Sequence, residues 1–204
     1  MIRAAYVIRI AKATLDVTRI RFRNLASTSG RLDAVCRCVI SALRTEKGSP
    51  RSYVKVYLVI DKGDVVLLDP NRIMLEELPI SEVKMTRMLL KLYDKGADVL
   101  PRRGLLNLVK DLRHEGYNVV LVHERGENWM KCLSKILSES KEGIAFILGG
   151  PYGIPREEEG RLMSLNIPMI SLGERRYLSS YCIAVLNFLL QGGEEFVRQV
   201  SCSI

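Results

Sequence analysis

Two hydrophobic periods alternate along the chain. Ala4–Ile10 is a nearly continuous apolar run of strand length, whereas Leu32, Val35, Cys36, Val39, Ile40 and Leu43 recur at helical spacing as one apolar stripe. Between them Thr14–Ser29 is polar and runs into Ser27-Thr28-Ser29-Gly30, punctuation that can start a helix. Val54–Ile60 and Val65–Leu68 read as strands joined across Asp61-Lys62-Gly63-Asp64, a hairpin turn. Ser81 is placed to cap a helix that runs to Lys95 and stops at Gly96. The pattern then becomes regular: a helix over about 102–115, a strand over 117–123, a helix over about 127–139, a strand over 144–148, a helix over about 156–165, a strand over 167–171 and a helix over about 177–190. Strands alternating with helices imply crossover connections, hence an α/β fold with a mainly parallel sheet covered by helices on both faces. Ligands of such sheets bind beyond the carboxyl ends of the strands, which directs attention to His123–Asn128, Gly149–Arg156 and Leu172–Tyr177.

Composition narrows the class. With 48% hydrophobic and 26% charged residues over 204 positions, the chain is ordinary for a folded domain and unlike a disordered one. Its longest apolar runs, such as Ile144–Leu148 and Ile183–Leu186, fall far below the roughly 20 residues that span a bilayer. The N-terminus is broken by Arg3 and Arg9 and has no apolar signal-peptide core, so the expected compartment is the cytoplasm, with no membrane partner. Five scattered cysteines and two histidines offer no metal spacing. On a helix Cys36 and Cys38 point to nearly opposite faces, so neither a metal nor a His-based triad is expected.

The charge of +8 is informative once located. Residues 1–50 carry ten Lys/Arg against three Asp/Glu, and residues 51–204 carry 21 against 20. Eight of the ten are arginines: Arg3, Arg9, Arg19, Arg21, Arg23, Arg31, Arg37 and Arg44. Clustered arginine is rewarded by counterion release from a polyanion, which favours a nucleic-acid partner over a small acidic substrate.

Several constellations could carry chemistry. Gly149-Gly150-Pro151-Tyr152-Gly153 follows a buried strand directly and is either a backbone-lined ligand loop or a tight turn; its spacing is not a dinucleotide fingerprint. A second small-residue loop, Ser171-Leu172-Gly173, follows the next strand, and Cys182 lies in the helix after it, better suited to packing than to nucleophilic attack. Arg31 and Asp33 sit at a helix start, where Asp33 either complements the helix dipole or meets a nucleotide beside a phosphate-holding Arg31. Arg102-Arg103 is either a solvated helix start or a phosphate clamp. The 6% aromatic content argues against an extended stacking platform for bases.

These residues carry a family resemblance. G-R-L-D-A-V-C-R-C-V at 30–39, R-R-G-L-L-N-L-V at 102–109, F-I-L-G-G-P-Y-G at 146–153 and I-S-L-G-E-R-R-Y-L-S-S-Y-C at 170–182 occur in the order and spacing of the SPOUT-superfamily tRNA (pseudouridine(54)-N1)-methyltransferases of the TrmY type, which the chain resembles over nearly its full length. The resemblance implies one SPOUT-like domain over 1–204, with a basic RNA-facing section over about 1–50 and a C-terminal trefoil knot over about 117–190 that holds S-adenosylmethionine. It also implies a homodimer and tRNA, through its T-loop, as partner. By position, Val122, Gly149, Leu172, Gly173, Glu174, Arg175, Arg176, Tyr177 and Cys182 correspond to the cofactor pocket. Arg31 and Asp33 correspond to the target-nucleotide residues, and Arg21, Arg23, Arg37, Arg102 and Arg103 are the RNA-contacting candidates.

The chain also departs from that family. Gly150 and Pro151 replace its usual acidic residue and histidine, S-L-G replaces S-L-S, and GGPYG resembles the loop of the RlmH-type ribosomal-RNA methyltransferases. The expected reaction is methylation of pseudouridine N1 at position 54 of tRNA, with Asp33 orienting or accepting the N1 proton. The alternatives are a ribosomal-RNA pseudouridine methyltransferase of the Nep or RlmH type, and a non-catalytic RNA-binding or assembly protein of the same fold.

Overall fold

The computed structural model describes residues 2–61, 63–73, 77–96, 98–140 and 142–193. Seven strands form one sheet: β1 (Ala4–Ile10), β2 (Val54–Ile60), β3 (Val65–Leu68), β4 (Val99–Leu100), β5 (Tyr117–Asn128), β6 (Gly143–Gly149) and β7 (Met169–Ser171), in the order β4-β3-β2-β1-β6-β5-β7. The pairs β1–β2, β1–β6, β5–β6 and β5–β7 are parallel, while β2–β3 and β3–β4 are antiparallel. The hairpin expected at Asp61–Asp64 is therefore present, and β4 extends it by a short edge strand.

The helices are α1 (Leu25–Thr28), α2 (Leu32–Leu43), α3 (Pro70–Ile73), α4 (Glu82–Asp94), α5 (Gly104–His114), α6 (Trp129–Ser138), α7 (Arg156–Met163) and α8 (Ser179–Phe188). They cover both faces. Alternate residues of β1 divide between two cores: Ala4, Tyr6, Ile8 and Ile10 join the apolar sides of α2, α4, α6 and α8, while Ala5 and Val7 join α5 and α7. The stripe read from Leu32 to Leu43 is the buried side of α2, with Leu32, Val35, Cys36 and Val39 fully enclosed.

Several boundaries differ from the sequence reading. The segment His123–Asn128, read as a loop, continues β5. Val122 pairs with Ile170, the chain makes an excursion, and Glu127 then pairs with the same Ile170. Its polar, glycine-containing sequence hides this because an excursion out of the ladder has no two-residue period. Helix α5 starts at Gly104 rather than at residue 102; Arg102 at φ 51 and Gly104 at φ 64 both hold left-handed backbone, so the chain is still turning where the helix was expected to begin. Ser81 does occupy the N-cap position of α4, but its side chain makes no capping bond.

The front section is tied down at the carboxyl end of β1. Gly30 has φ 63, and a Cβ there would lie 2.0 Å from the Lys12 carbonyl oxygen, so only glycine fits. Arg31 follows with φ 69, a second left-handed residue that turns the chain into α2. The far end of the chain also returns to the centre. Tyr6 Oη in β1 donates to Asn187 Oδ1 of α8 at 2.8 Å, and Asn187 Nδ2 donates to the Ser41 carbonyl of α2 at 2.8 Å. Thus β7 lies at the sheet edge, whereas α8, a few residues later, docks over β1 and α2.

Candidate active site

A cleft of about 600 Å³ opens at the carboxyl ends of β5, β6 and β7, within the size range of small-molecule sites, about 300–1,000 Å³. Its wall includes Val122 from β5, Leu148–Ile154 from the end of β6 and Ser171–Gly173 with Arg175–Tyr177 from the segment after β7. Of the nine cofactor candidates, Val122, Gly149, Leu172, Gly173, Arg175, Arg176, Tyr177 and Cys182 line it, while Glu174 is exposed and lies outside the lining. The two loops chosen from small residues are thus two walls of one space. Ser179, at the start of α8, donates its hydroxyl hydrogen to the Gly149 carbonyl and joins them.

The side of the cleft at β5 carries charged groups that sequence reasoning missed. His123 Nε2 lies 3.4 Å from Glu124 and 3.3 Å from Glu159 of α7. Glu159 also receives Arg125 at 2.5 Å, and Glu124 receives Arg176 at 2.9 Å. The last pair bridges the β5 excursion and the segment after β7, two walls of the cleft. Burial raises the Glu124 carboxyl, but its backbone bond, His123 and Arg176 outweigh this and hold it below the usual carboxylate range. The signal for this cluster was the H-E-R-G-E run at 123–127, but its partner Glu159 stands in a different helix.

Arg31 and Asp33 are brought together at the start of α2. Arg31 Nε and Nη2 donate to the two Asp33 oxygens at 3.1 and 3.2 Å, and Arg37 Nη2 donates to Oδ2 at 3.1 Å. The Asp33 side chain is only 15% exposed. The hydrogen bond and the charge of Asp33 hold Arg31 above its ordinary pKa, with a smaller contribution from Tyr152 of the cleft wall. Gly30, the residue before Arg31, packs against the Lys12 carbonyl, and the Lys12 ammonium lies over the ring of Tyr152 in the cleft wall, so the pair stands beside the cleft with both carboxylate oxygens fixed and the Arg31 side chain half exposed.

The RNA candidates divide. Arg21 and Arg23 are exposed on the front section, and Arg37 is committed to Asp33. Arg102 and Arg103 lie beside the β2–β3 hairpin, also at the carboxyl end of the sheet: the Arg102 amide donates to Asp64 Oδ1 at 3.0 Å, and the Arg103 side chain is paired with Asp111. Arg9 departs from the basic-face reading entirely. It is 5% exposed, donating to Glu158 at 2.7 and 2.6 Å and to Asp61 at 3.0 Å, so its charge is spent inside the fold. Arg44 likewise donates to the Leu78 carbonyl at 3.2 Å.

Burial also decides the cysteines. It pushes both the Cys36 and the Cys38 thiol up to about 12, and it raises Cys182 in the cleft wall. Iodoacetamide at pH 7.5 is expected to leave Cys36 and Cys38 unmodified in the folded protein, as read by peptide mass spectrometry. Their modification without denaturant would contradict the packing of α2. Cys202 lies outside the described residues.

No protein-family model matches the chain. Individual proteins do. A Methanococcus aeolicus tRNA (pseudouridine(54)-N(1))-methyltransferase is 25% identical over 195 residues, covering 87% of this chain and 94% of that protein. The chain is similar over most of its length to archaeal tRNA (pseudouridine(54)-N1)-methyltransferases. The Methanosarcina mazei protein of this name is 27% identical over 183 residues, covering 84% of this chain and 83% of its own, and that of Thermococcus onnurineus is 25% identical over 200 residues, covering 89% and 95%. In fold, the chain matches the crystal structure of Archaeoglobus fulgidus Nep1 bound to S-adenosylhomocysteine, with a TM-score of 0.64 and 20% identity over 98% of this chain and 100% of that one.

Proposed function

We propose that the chain transfers a methyl group from S-adenosylmethionine to N1 of pseudouridine at position 54, in the T-loop of tRNA. The observation that carries this reading is the union of the backbone-walled cleft with the Arg31–Asp33 pair at its border. The residues fit the cofactor. Val122, Leu148 and Leu172 offer an apolar surface for an adenine, Arg175 and Arg176 suit a carboxylate, and the Glu124 and Glu159 carboxylates suit an ammonium group. When bound, the cofactor supplies a sulfonium methyl as electrophile.

The chain then has two tasks. It must hold N1 in line with the methyl, and it must dispose of the N1 proton. A C-glycosidic base leaves N1 bearing that hydrogen, which would have to pass to an acceptor or water as N1 took the methyl from the cofactor's sulfonium. Asp33, held on both oxygens by Arg31 and Arg37, is built first to orient and only second to accept. Exposed Arg21, Arg23 and Arg102, with Arg103, meet the RNA backbone.

Two further parts of the reading have structural support. We propose that the segment over about 117–190 forms a trefoil knot; in support, the chain leaves the sheet edge at β7, is fastened to the end of β6 through Ser179, and docks α8 over β1 and α2. The working unit is a homodimer. Leu178 at the N-cap of α8 and Tyr181, Val185 and Phe188 within it are exposed at helical spacing, a largely apolar stripe suited to a second copy.

Calorimetric titration with S-adenosylmethionine tests the cofactor, and T-loop RNA binding across a salt series tests the partner. Cofactor binding together with a steep loss of RNA affinity as salt rises supports the reading. Absence of cofactor binding favours the non-catalytic alternative.

A further inference from the structure

The sheet changes winding direction between β1 and β6: the chain passes from β1 to β2 on one side, and β6, β5 and β7 lie on the other. Residues from the two diverging ends meet there. Gly150–Gly153 is a closed turn, with the Gly153 amide donating to the Gly150 carbonyl at 2.9 Å and the Gly150 amide donating to the Arg9 carbonyl at 2.8 Å. Pro151 fixes its own φ, and a Cβ on Gly149 would stand 2.7 Å from the Gly153 Cα. Tyr152 projects from this turn and is 49% exposed, so backbone rather than burial holds it in place.

Lys12 comes from the end of β1 with a left-handed φ of 67, its amide bonded to Asp61 Oδ2 at 2.9 Å. Its ammonium lies 5.1 Å from the centroid of the Tyr152 ring. Arg31, anchored by Asp33, follows Gly30, which packs directly against the Lys12 carbonyl. A rigidly presented, half-open ring at the mouth of a ligand cleft, beside two cations and a fixed carboxylate, is what a single splayed nucleotide requires. The ring offers a flat face, the cations meet phosphate, and the carboxylate meets a base N–H.

We propose that Tyr152 is the face against which the target base stacks, and that the Lys12 ammonium moves from the ring to the adjoining phosphate when RNA binds. Low aromatic content is no obstacle, because a single base needs a single ring. The inference rests on the methyltransferase reading above, and its test separates the two. S-adenosylmethionine affinity, kcat and KM for a pseudouridine-bearing T-loop hairpin are measured for wild type, Tyr152→Ala and Tyr152→Phe, together with quenching of a hairpin carrying 2-aminopurine at the target position.

Tyr152→Ala is expected to lower kcat/KM for RNA about 10- to 100-fold, the range for losing one aromatic stacking partner. It should also abolish the quenching and, because Tyr152 belongs to the cleft wall but half its surface is open at the mouth, lower cofactor affinity by much less than it lowers kcat/KM for RNA. Tyr152→Phe, which keeps the ring, stays near wild type. The inference is overturned if Tyr152→Phe falls as far as Tyr152→Ala, if Tyr152→Ala weakens cofactor and RNA alike, or if the wild type binds the hairpin without quenching. A wild type that quenches the hairpin but transfers no methyl supports the base site and counts against the reaction instead.

Discussion

Replacing Asp33 with alanine is expected to lower the turnover of methyl transfer by about 100-fold or more, within the range for losing a positioned acid–base group, while S-adenosylmethionine affinity stays within about twofold. Asp33 lies outside the cleft lining and holds no wall of it, so the cofactor has no reason to notice its loss. The target base does. Without the carboxylate, Arg31 and Arg37 lose the acceptor that fixes both guanidiniums at the start of α2. Asp33→Asn separates the contributions: it preserves shape and one acceptor oxygen but removes the charge. If Asn restores most of the turnover, Asp33 acts by positioning alone; if it is as impaired as Ala, the charge is required at the N1 proton. Turnover equal to wild type in Asp33→Ala, measured with saturating RNA and cofactor, would remove Asp33 from the mechanism.

The second large effect is on stability. Arg9→Leu is expected to destabilise the fold by about 3 kcal/mol, the scale of breaking a buried charge pair by deleting one partner. That corresponds to a fall in Tm of about 6–12 °C for a chain of this size. Arg9 is nearly enclosed, and it clamps Glu158 of α7 through two bonds and Asp61 of the β2–β3 hairpin through one. Removing it leaves Glu158 partly buried without its cation. The double variant Arg9→Leu with Glu158→Leu should recover part of the loss, because it removes the stranded carboxylate as well. A single variant that melts within about 2 °C of wild type, less than about 1 kcal/mol, would mean that the clamp is a surface ion pair in effect.

Arg9 also shows where reading the sequence stops. Its position in a basic front section suggests a phosphate contact. The residue that neutralises it, Glu158, stands 149 positions away, a separation no local pattern reveals. The same limit hid Glu159, which joins His123 across the cleft from α7. What was legible was periodic. The helical stripe of α2, the β2–β3 hairpin and the alternation that makes a parallel sheet rest on neighbours in sequence, and the structure reproduces them. The β5 excursion was not legible, since Glu127 returns to pair with Ile170 through a polar stretch with no alternation. The glycine-rich loops were legible as loops. Their convergence on one cleft was inferable only from the rule that ligands gather at the carboxyl ends of strands. Tyr152 was visible in the sequence but carried no special meaning until Lys12 was found beside it.

The measurement that bears most directly on the account is methyl incorporation from labelled S-adenosylmethionine into three matched RNAs: a tRNA with pseudouridine at position 54, the same tRNA with uridine there, and a small-subunit ribosomal-RNA hairpin bearing a pseudouridine. Label in the pseudouridine-containing tRNA alone, located at N1 by mass spectrometry, is the predicted result. Label confined to the ribosomal hairpin would keep the chemistry and overturn the substrate, and label in none, with cofactor binding absent, would contradict the enzyme.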